Sequence, residues 1–194
     1  MRPQDHVRNA KGNPVKTTEN ERCVTMEEPA PASLEERVAR MEDYRAIHEL
    51  LAHYARCVDA RDGVGAASVF CENGELHGPG APAIAGRQRI ARLYGKLLGR
   101  MTSSSHMVGN EQVLFTSRDT ACAHCVLLAW EGFGAALDAS VDNRFSLGRY
   151  ELELVREADG EWRVSAMNVH FAGQTGTGRM AEHLNRPWPP QPRS

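Results

Sequence analysis

The chain has 194 residues, enough for one domain of ordinary size with loose ends, and no second hydrophobic block calls for a second core. Its 23 Lys and Arg against 25 Asp and Glu give a formal net charge of −2, with both signs mixed along the chain, so neither nucleic acid nor a membrane surface is an expected partner. No run approaches the roughly 20 apolar residues that span a bilayer, and the five cysteines are odd in number, scattered and preceded by no signal-peptide pattern, so a reduced, cytoplasmic setting is expected.

Residues 1–32 are polar, carry Pro3, Pro14, Pro29 and Pro31, and lack the apolar periodicity that offsets the entropy of ordering; they are expected to be a disordered leader. Order is expected from Ser33, an N-cap with Glu36 three residues on. Tyr44, Ile47, Leu51, Tyr54 and Val58 then follow a 3-4-3-4 spacing, which predicts a helix with one buried stripe. Asp59-Ala60-Arg61-Asp62-Gly63 ends it. A second helix is predicted over Val64 to Phe70, a turn at Glu72-Asn73-Gly74, a short strand over Glu75 to His77, a Gly/Pro loop over Gly78 to Ala85, and a third helix over Arg87 to Leu98.

From His106 the period shifts towards two: His106 to Phe115, Thr120 to Trp130, Asn143 to Val155 and Glu161 to Phe171, with a hairpin turn at Asp159-Gly160. Helices first and long strands afterwards predict an α+β domain over 33–172, and residues 173–194 read as an irregular C-terminal tail.

Cys122 and Cys125 have C-x-x-C spacing but lie in an alternating run, where positions three apart face opposite ways, so neither zinc nor redox chemistry is expected there. His48, His53, His77 and His124 show no metal-ligand spacing, and no metal or other cofactor is expected. Tyr54, Asp59 and His106 are the residues able to move a proton in a pocket. A carboxylate beside an imidazole holds one tautomer, aims the other ring nitrogen outward and stabilises the imidazolium. Each also has a plainer reading: Tyr54 as a core tyrosine, Asp59 as a solvated turn residue, His106 as an ordinary hydrogen-bonded histidine. Ideal helix geometry sets Tyr54 and Asp59 roughly 140° apart, so spacing alone does not unite them. Val126, Leu128 and Trp130 alternate on one strand face and are expected to wall the pocket; Asn168 and His170, taken to share a face with Trp162 and Val164, are expected to line it too.

The order of elements, with Tyr54-Ala-Arg-Cys-Val-Asp59-Ala-Arg-Asp62 leading to Phe70, the Gly86-Arg87 helix start, His106-x3-Asn110 and Gly160-Glu161-Trp162-Arg163-Val164, resembles the SnoaL-like branch of the nuclear-transport-factor-like superfamily across about residues 34–172. The resemblance implies a cone, in which a curved antiparallel sheet wraps around three N-terminal helices and encloses an apolar pocket. It sets Asp59 and His106 where scytalone dehydratase, bile-acid 7α-dehydratase and lindane dehydrochlorinase, all eliminating lyases, carry a catalytic aspartate and histidine. Tyr54 matches a tyrosine of the bile-acid enzyme. There are departures: Trp130 stands near a second histidine of scytalone dehydratase, Val58 replaces its tyrosine, and Gly78 occupies the place of the steroid isomerase's catalytic aspartate.

The function so implied is a cofactor-free lyase of dehydratase type acting on a small hydrophobic hydroxy or carbonyl compound, assembled as a homodimer or homotrimer. The alternatives are a non-catalytic ligand-binding or assembly module of the same fold, or an enzyme like ketosteroid isomerase or a polyketide cyclase.

Overall fold

The computed structural model describes residues 31, 33–133 and 142–174; all but one residue of the expected leader and most of the expected tail lie outside the described residues. Helix α1 (Leu34–Asp59) begins as its capping box dictates: the Glu36 N–H donates to the Ser33 hydroxyl at 3.1 Å, and the Ser33 N–H to the Glu36 carboxylate at 3.3 Å. Its stripe is buried from Ile47 onward, whereas Leu34, Val38 and Met41 remain exposed. Tyr44 bridges the two regimes, packing edge-on against Phe115 at 4.9 Å and donating its hydroxyl to the Val113 carbonyl at 3.0 Å.

Helix α2 (Gly63–Ser68) stops short of the expected end, because Phe70 already starts strand β1 (Phe70–His77). The expected turn at Glu72-Asn73-Gly74 is an irregularity inside that strand: Phe70 pairs with Val164 and Glu75 with Ala166, so extra residues bulge out between them. Gly74 permits this, since a Cβ there would sit 2.9 Å from the Val164 carbonyl oxygen. Strand β2 (Ile84–Ala85) lies within the expected loop, and α3 (Arg87–Leu98) has its expected bounds. Strands β3 (Ser103–Phe115), β4 (Thr120–Phe133), β5 (Asp142–Arg156) and β6 (Trp162–Gln174) all run longer than their alternation suggested.

The sheet order is β2-β1-β6-β5-β4-β3, and every neighbouring pair is antiparallel except β1 and β6, which are parallel. This curved, unclosed mixed sheet packs one face on the helices; Ile47, Leu51, Ile90, Phe115, Leu127 and Val164 form the core between them. At one end Asp43 of α1 accepts from Arg156 at 2.6 Å and from the Trp162 indole at 3.1 Å, tying helix to sheet.

Strand parity decides what faces inward. On β4 Ala121, Ala123, Cys125, Leu127, Ala129 and Glu131 form a buried series at alternate positions, which leaves Val126, Leu128 and Trp130 on the outer face, Trp130 being 39% exposed. The expectation that these three wall the pocket is therefore corrected: successive side chains of a strand alternate faces, Leu127, Ala129 and Glu131 face the cavity between the sheet and the helices, and Val126, Leu128 and Trp130 point away. A second correction concerns β6. Leu154 pairs with Val164 but Glu153 with Ala166, so Ser165 is an extra residue that flips the alternation. Beyond it Met167 is buried in the core, Val169 and Phe171 turn inward with it, and Asn168 and His170 point to the outer face.

Candidate active site

Asp59 is the last residue of α1, and the chain turns sharply after it through Arg61, which adopts a left-handed backbone (φ 58°). The Arg61 guanidinium donates to the carbonyls of Thr102 at 2.5 Å and Met101 at 3.4 Å, fastening the helix end to the segment that enters β3. Asp59 is thereby set beside β3. Its carboxylate accepts from His106 Nδ1 at 2.7 Å, from the His106 backbone N–H at 3.0 Å and from the Ser104 hydroxyl at 3.1 Å. The His106 side chain is 8% exposed and that of Asp59 29%. With Nδ1 turned to Asp59, Nε2 is the ring nitrogen left for the cavity that His106 lines.

That cavity has a volume of about 650 Å³. Its walls are mainly apolar, with Val58, Leu76, Ile84, Leu93, Leu127 and Phe171 among them. Cross-strand pairing orders its polar groups. One rung carries Ser104, Glu131 and Arg144, the next His106, Ala129 and Ser146, and the next Val108, Leu127 and Gly148. Same-face rungs follow at about 7 Å along the strand.

Three tyrosines converge beyond the last of these rungs. The Tyr54 and Tyr94 hydroxyls lie 2.9 Å apart, Tyr150 also hydrogen-bonds Tyr54, and the Tyr54 and Tyr150 rings meet edge-on at 5.8 Å. Burial pushes the Tyr54 phenol up, the hydrogen bonds with Tyr94 and Tyr150 pull it partly back, and it stays a neutral donor. Burial likewise carries Tyr94 and Tyr150 well above the ordinary tyrosine range. Nearby, burial pushes the Cys125 thiol up to about 12, so it is no nucleophile at neutral pH.

On the other side of His106, Arg144 Nε donates to Glu131 at 2.6 Å, and its guanidinium stacks over the Phe133 ring 5.1 Å from the centroid. Ser146 donates to the same Glu131 oxygen at 3.5 Å.

The structure thus brings Asp59 and His106 into contact and sets His106 and Tyr54 on one cavity, without joining Tyr54 to Asp59. Val126, Leu128, Trp130, Asn168 and His170 lie outside it. Their inward neighbours Leu127, Ala129, Val169 and Phe171 take their place, and sequence reasoning missed Tyr94, Glu131, Arg144 and Tyr150 as wall residues. One signal was available: Glu131 ends a series of small residues at alternate positions, and a charge on the side that small residues mark as buried points to a built polar site. Among the described residues no group of three or more His, Cys, Asp or Glu stands ready for a metal ion, and no helix is long and apolar enough to cross a membrane.

Solved structures of low sequence identity share this fold. A putative scytalone dehydratase from Novosphingobium aromaticivorans aligns with a TM-score of 0.67 at 20% identity, covering 78% of this chain and 99% of that one. A type 2 hexachlorocyclohexane dehydrochlorinase, LinA, aligns with a TM-score of 0.64 at 21% identity over 72% of this chain and 91% of its own. ActVI-ORFA from Streptomyces coelicolor aligns with a TM-score of 0.57 at 23% identity over 66% and 96% respectively. No curated protein matches the chain. The SnoaL-like domain model matches residues 39–168, most of the chain and the whole of the cavity-bearing fold up to the middle of β6, and the protein belongs to the SnoaL-like domain family.

Proposed function

We propose that the protein is a cofactor-free lyase that eliminates water from a small hydrophobic hydroxy-carbonyl compound. The observation that carries this reading is the 2.7 Å bond between Asp59 and His106 Nδ1, made with His106 on the wall of an apolar cavity. A histidine so held presents Nε2 as an acceptor, the form a general base needs. A binding or assembly module has no need of a buried, carboxylate-oriented imidazole at its pocket.

In the proposed reaction His106 Nε2 takes the proton from the carbon next to the carbonyl. The C–H electron pair forms a C=C bond and the carbonyl π pair moves to oxygen, giving an enolate. The enolate pair then returns to restore the C=O, the C–OH bond breaks, and the hydroxyl departs as water after receiving a proton from Tyr54 or from His106 itself. Asp59 stabilises the imidazolium between the two steps. Tyr54, kept neutral by burial, retains a proton to give, and Tyr94 and Tyr150 fix where its hydroxyl points. A positioned acid or base of this kind is worth about 10²–10⁴ in rate.

The names of the solved relatives, a putative scytalone dehydratase and a dehydrochlorinase, support elimination. The test is a screen of hydroxylated carbonyl compounds for the rise in ultraviolet absorbance that accompanies a new conjugated double bond. His106→Ala should abolish turnover of whichever compound reacts, and near-normal turnover by that variant would rule the reading out.

A further inference from the structure

We infer that Arg144, aimed by Glu131, is the group that receives the substrate's carbonyl oxygen. The inference rests on the elimination reading and adds to it the direction in which the substrate lies. His106 stands between two polar ends of the cavity: the Ser104–Glu131–Arg144 rung on one side and the Tyr54, Tyr94 and Tyr150 hydroxyls on the other. Elimination needs a group for the developing enolate oxygen and a group for the departing hydroxyl, with the base between them. The guanidinium carries the fixed positive charge that suits a developing enolate oxygen, and the phenols carry protons to give to the departing hydroxyl.

Arg144 is built to stay where it is. Glu131 accepts its Nε at 2.6 Å and the Phe133 ring lies under its face, and both holding residues come from the inward side of β4. A planar guanidinium fixed at one edge and one face cannot swing through its rotamers, so it meets charge that appears in the transition state without reorganising. Glu131 is 7% exposed, and its carboxylate, also in reach of the Ser146 hydroxyl at 3.5 Å, is a positioning residue for Arg144.

The oxygen of a bound ketone or aldehyde becomes negative only as His106 becomes positive. Arg144 therefore acts on the transition state more than on the bound substrate, which is the condition for raising kcat.

The test uses benzylideneacetone, a neutral conjugated enone without a leaving group, whose ultraviolet band moves to longer wavelength when its carbonyl oxygen accepts strong hydrogen bonds. Titrated into the full chain, it should show that shift with the wild type, with His106→Ala and with Tyr54→Phe. Arg144→Met should lose the shift, and Arg144→Lys and Glu131→Gln should reduce it, since each keeps the positive charge but loses its aim. On the true substrate, Arg144→Met should lower kcat by about 10²–10³ with little change in KM. Absence of a shift with the wild type, a shift kept by Arg144→Met, or one lost in Tyr54→Phe would overturn the assignment. Loss of the shift in Arg144→Met together with continued turnover by His106→Ala would leave Arg144 assigned and remove the elimination chemistry instead.

Discussion

Asp59→Asn tests the dyad without changing its shape. The carboxylate accepts three hydrogen bonds: the His106 backbone N–H on Oδ2, and His106 Nδ1 and the Ser104 hydroxyl on Oδ1. An amide has one oxygen and one NH₂. The backbone N–H cannot become an acceptor, so the amide oxygen must take the Oδ2 place and the NH₂ must face Nδ1. Nδ1 can meet it only as an acceptor, which moves the ring proton to Nε2 and removes the base from the cavity. Restoring the productive tautomer forfeits one neutral hydrogen bond, about 0.5–1.5 kcal/mol, and the imidazolium loses its bond to a charged partner, about 1.5–3 kcal/mol. Together these come to about 2–4.5 kcal/mol, or a fall in kcat of about 30- to 2,000-fold at 1.36 kcal/mol per tenfold. The fold should survive, because the backbone N–H keeps its acceptor; a loss of about 1 kcal/mol would lower Tm by about 2–4 °C. Turnover kinetics give the rate, and ¹⁵N NMR of the imidazole nitrogens reads the tautomer without substrate. A variant that turns over at nearly the wild-type rate, or one that stays protonated on Nδ1, would refute this reasoning.

Two further outcomes follow from the outer face of the sheet. Trp130→Ala removes a side chain that is 39% exposed and turned away from the cavity, so enone affinity should stay within about twofold of wild type, and a large loss in a titration would return Trp130 to the pocket wall. Glu151, 8% exposed, accepts from Arg149 at 3.0 Å and from His170 at 3.1 Å, with His124 opposite it on β4. Burial alone would raise its carboxyl, but the bonds from His170 and Arg149 outweigh burial and hold it below the usual glutamate range. A carboxylate depressed on folding stabilises the fold above its unfolded pKa, about 4.3, and that contribution fades as pH falls through the lower folded value. Melting curves from pH 6 downward should therefore show a shallower acid-side decline in Glu151→Gln than in wild type, and equal slopes would exclude the ion pair as a contributor.

The sequence by itself carried the local structure. Ser33 and Glu36 specified the start of α1, Asp159-Gly160 the last hairpin, and the change of period from 3.6 to two the α+β order, because capping, turn chemistry and amphipathicity act between residues a few positions apart. Asp59 and His106 were legible as chemistry, through a family-like register. What only the tertiary structure decided is which side of each strand looks inward and which distant groups meet there. Alternation on β4 is equally regular on both faces, and it is the pairing of β4 with β3 and β5 in the curved sheet that turns Leu127, Ala129 and Glu131 rather than Leu128 and Trp130 towards the cavity. On β6 a single extra residue, Ser165, inverts the parity, and no local signal announces it because a bulge is fixed by pairing with the neighbouring strand. Tyr54, Tyr94 and Tyr150 come from two helices and a strand, and Glu131 meets Arg144 only through the β4–β5 register. Contacts of that kind are set by how whole elements stack, so the site is a property of the packed sheet and helices although each of its members stands plainly in the chain.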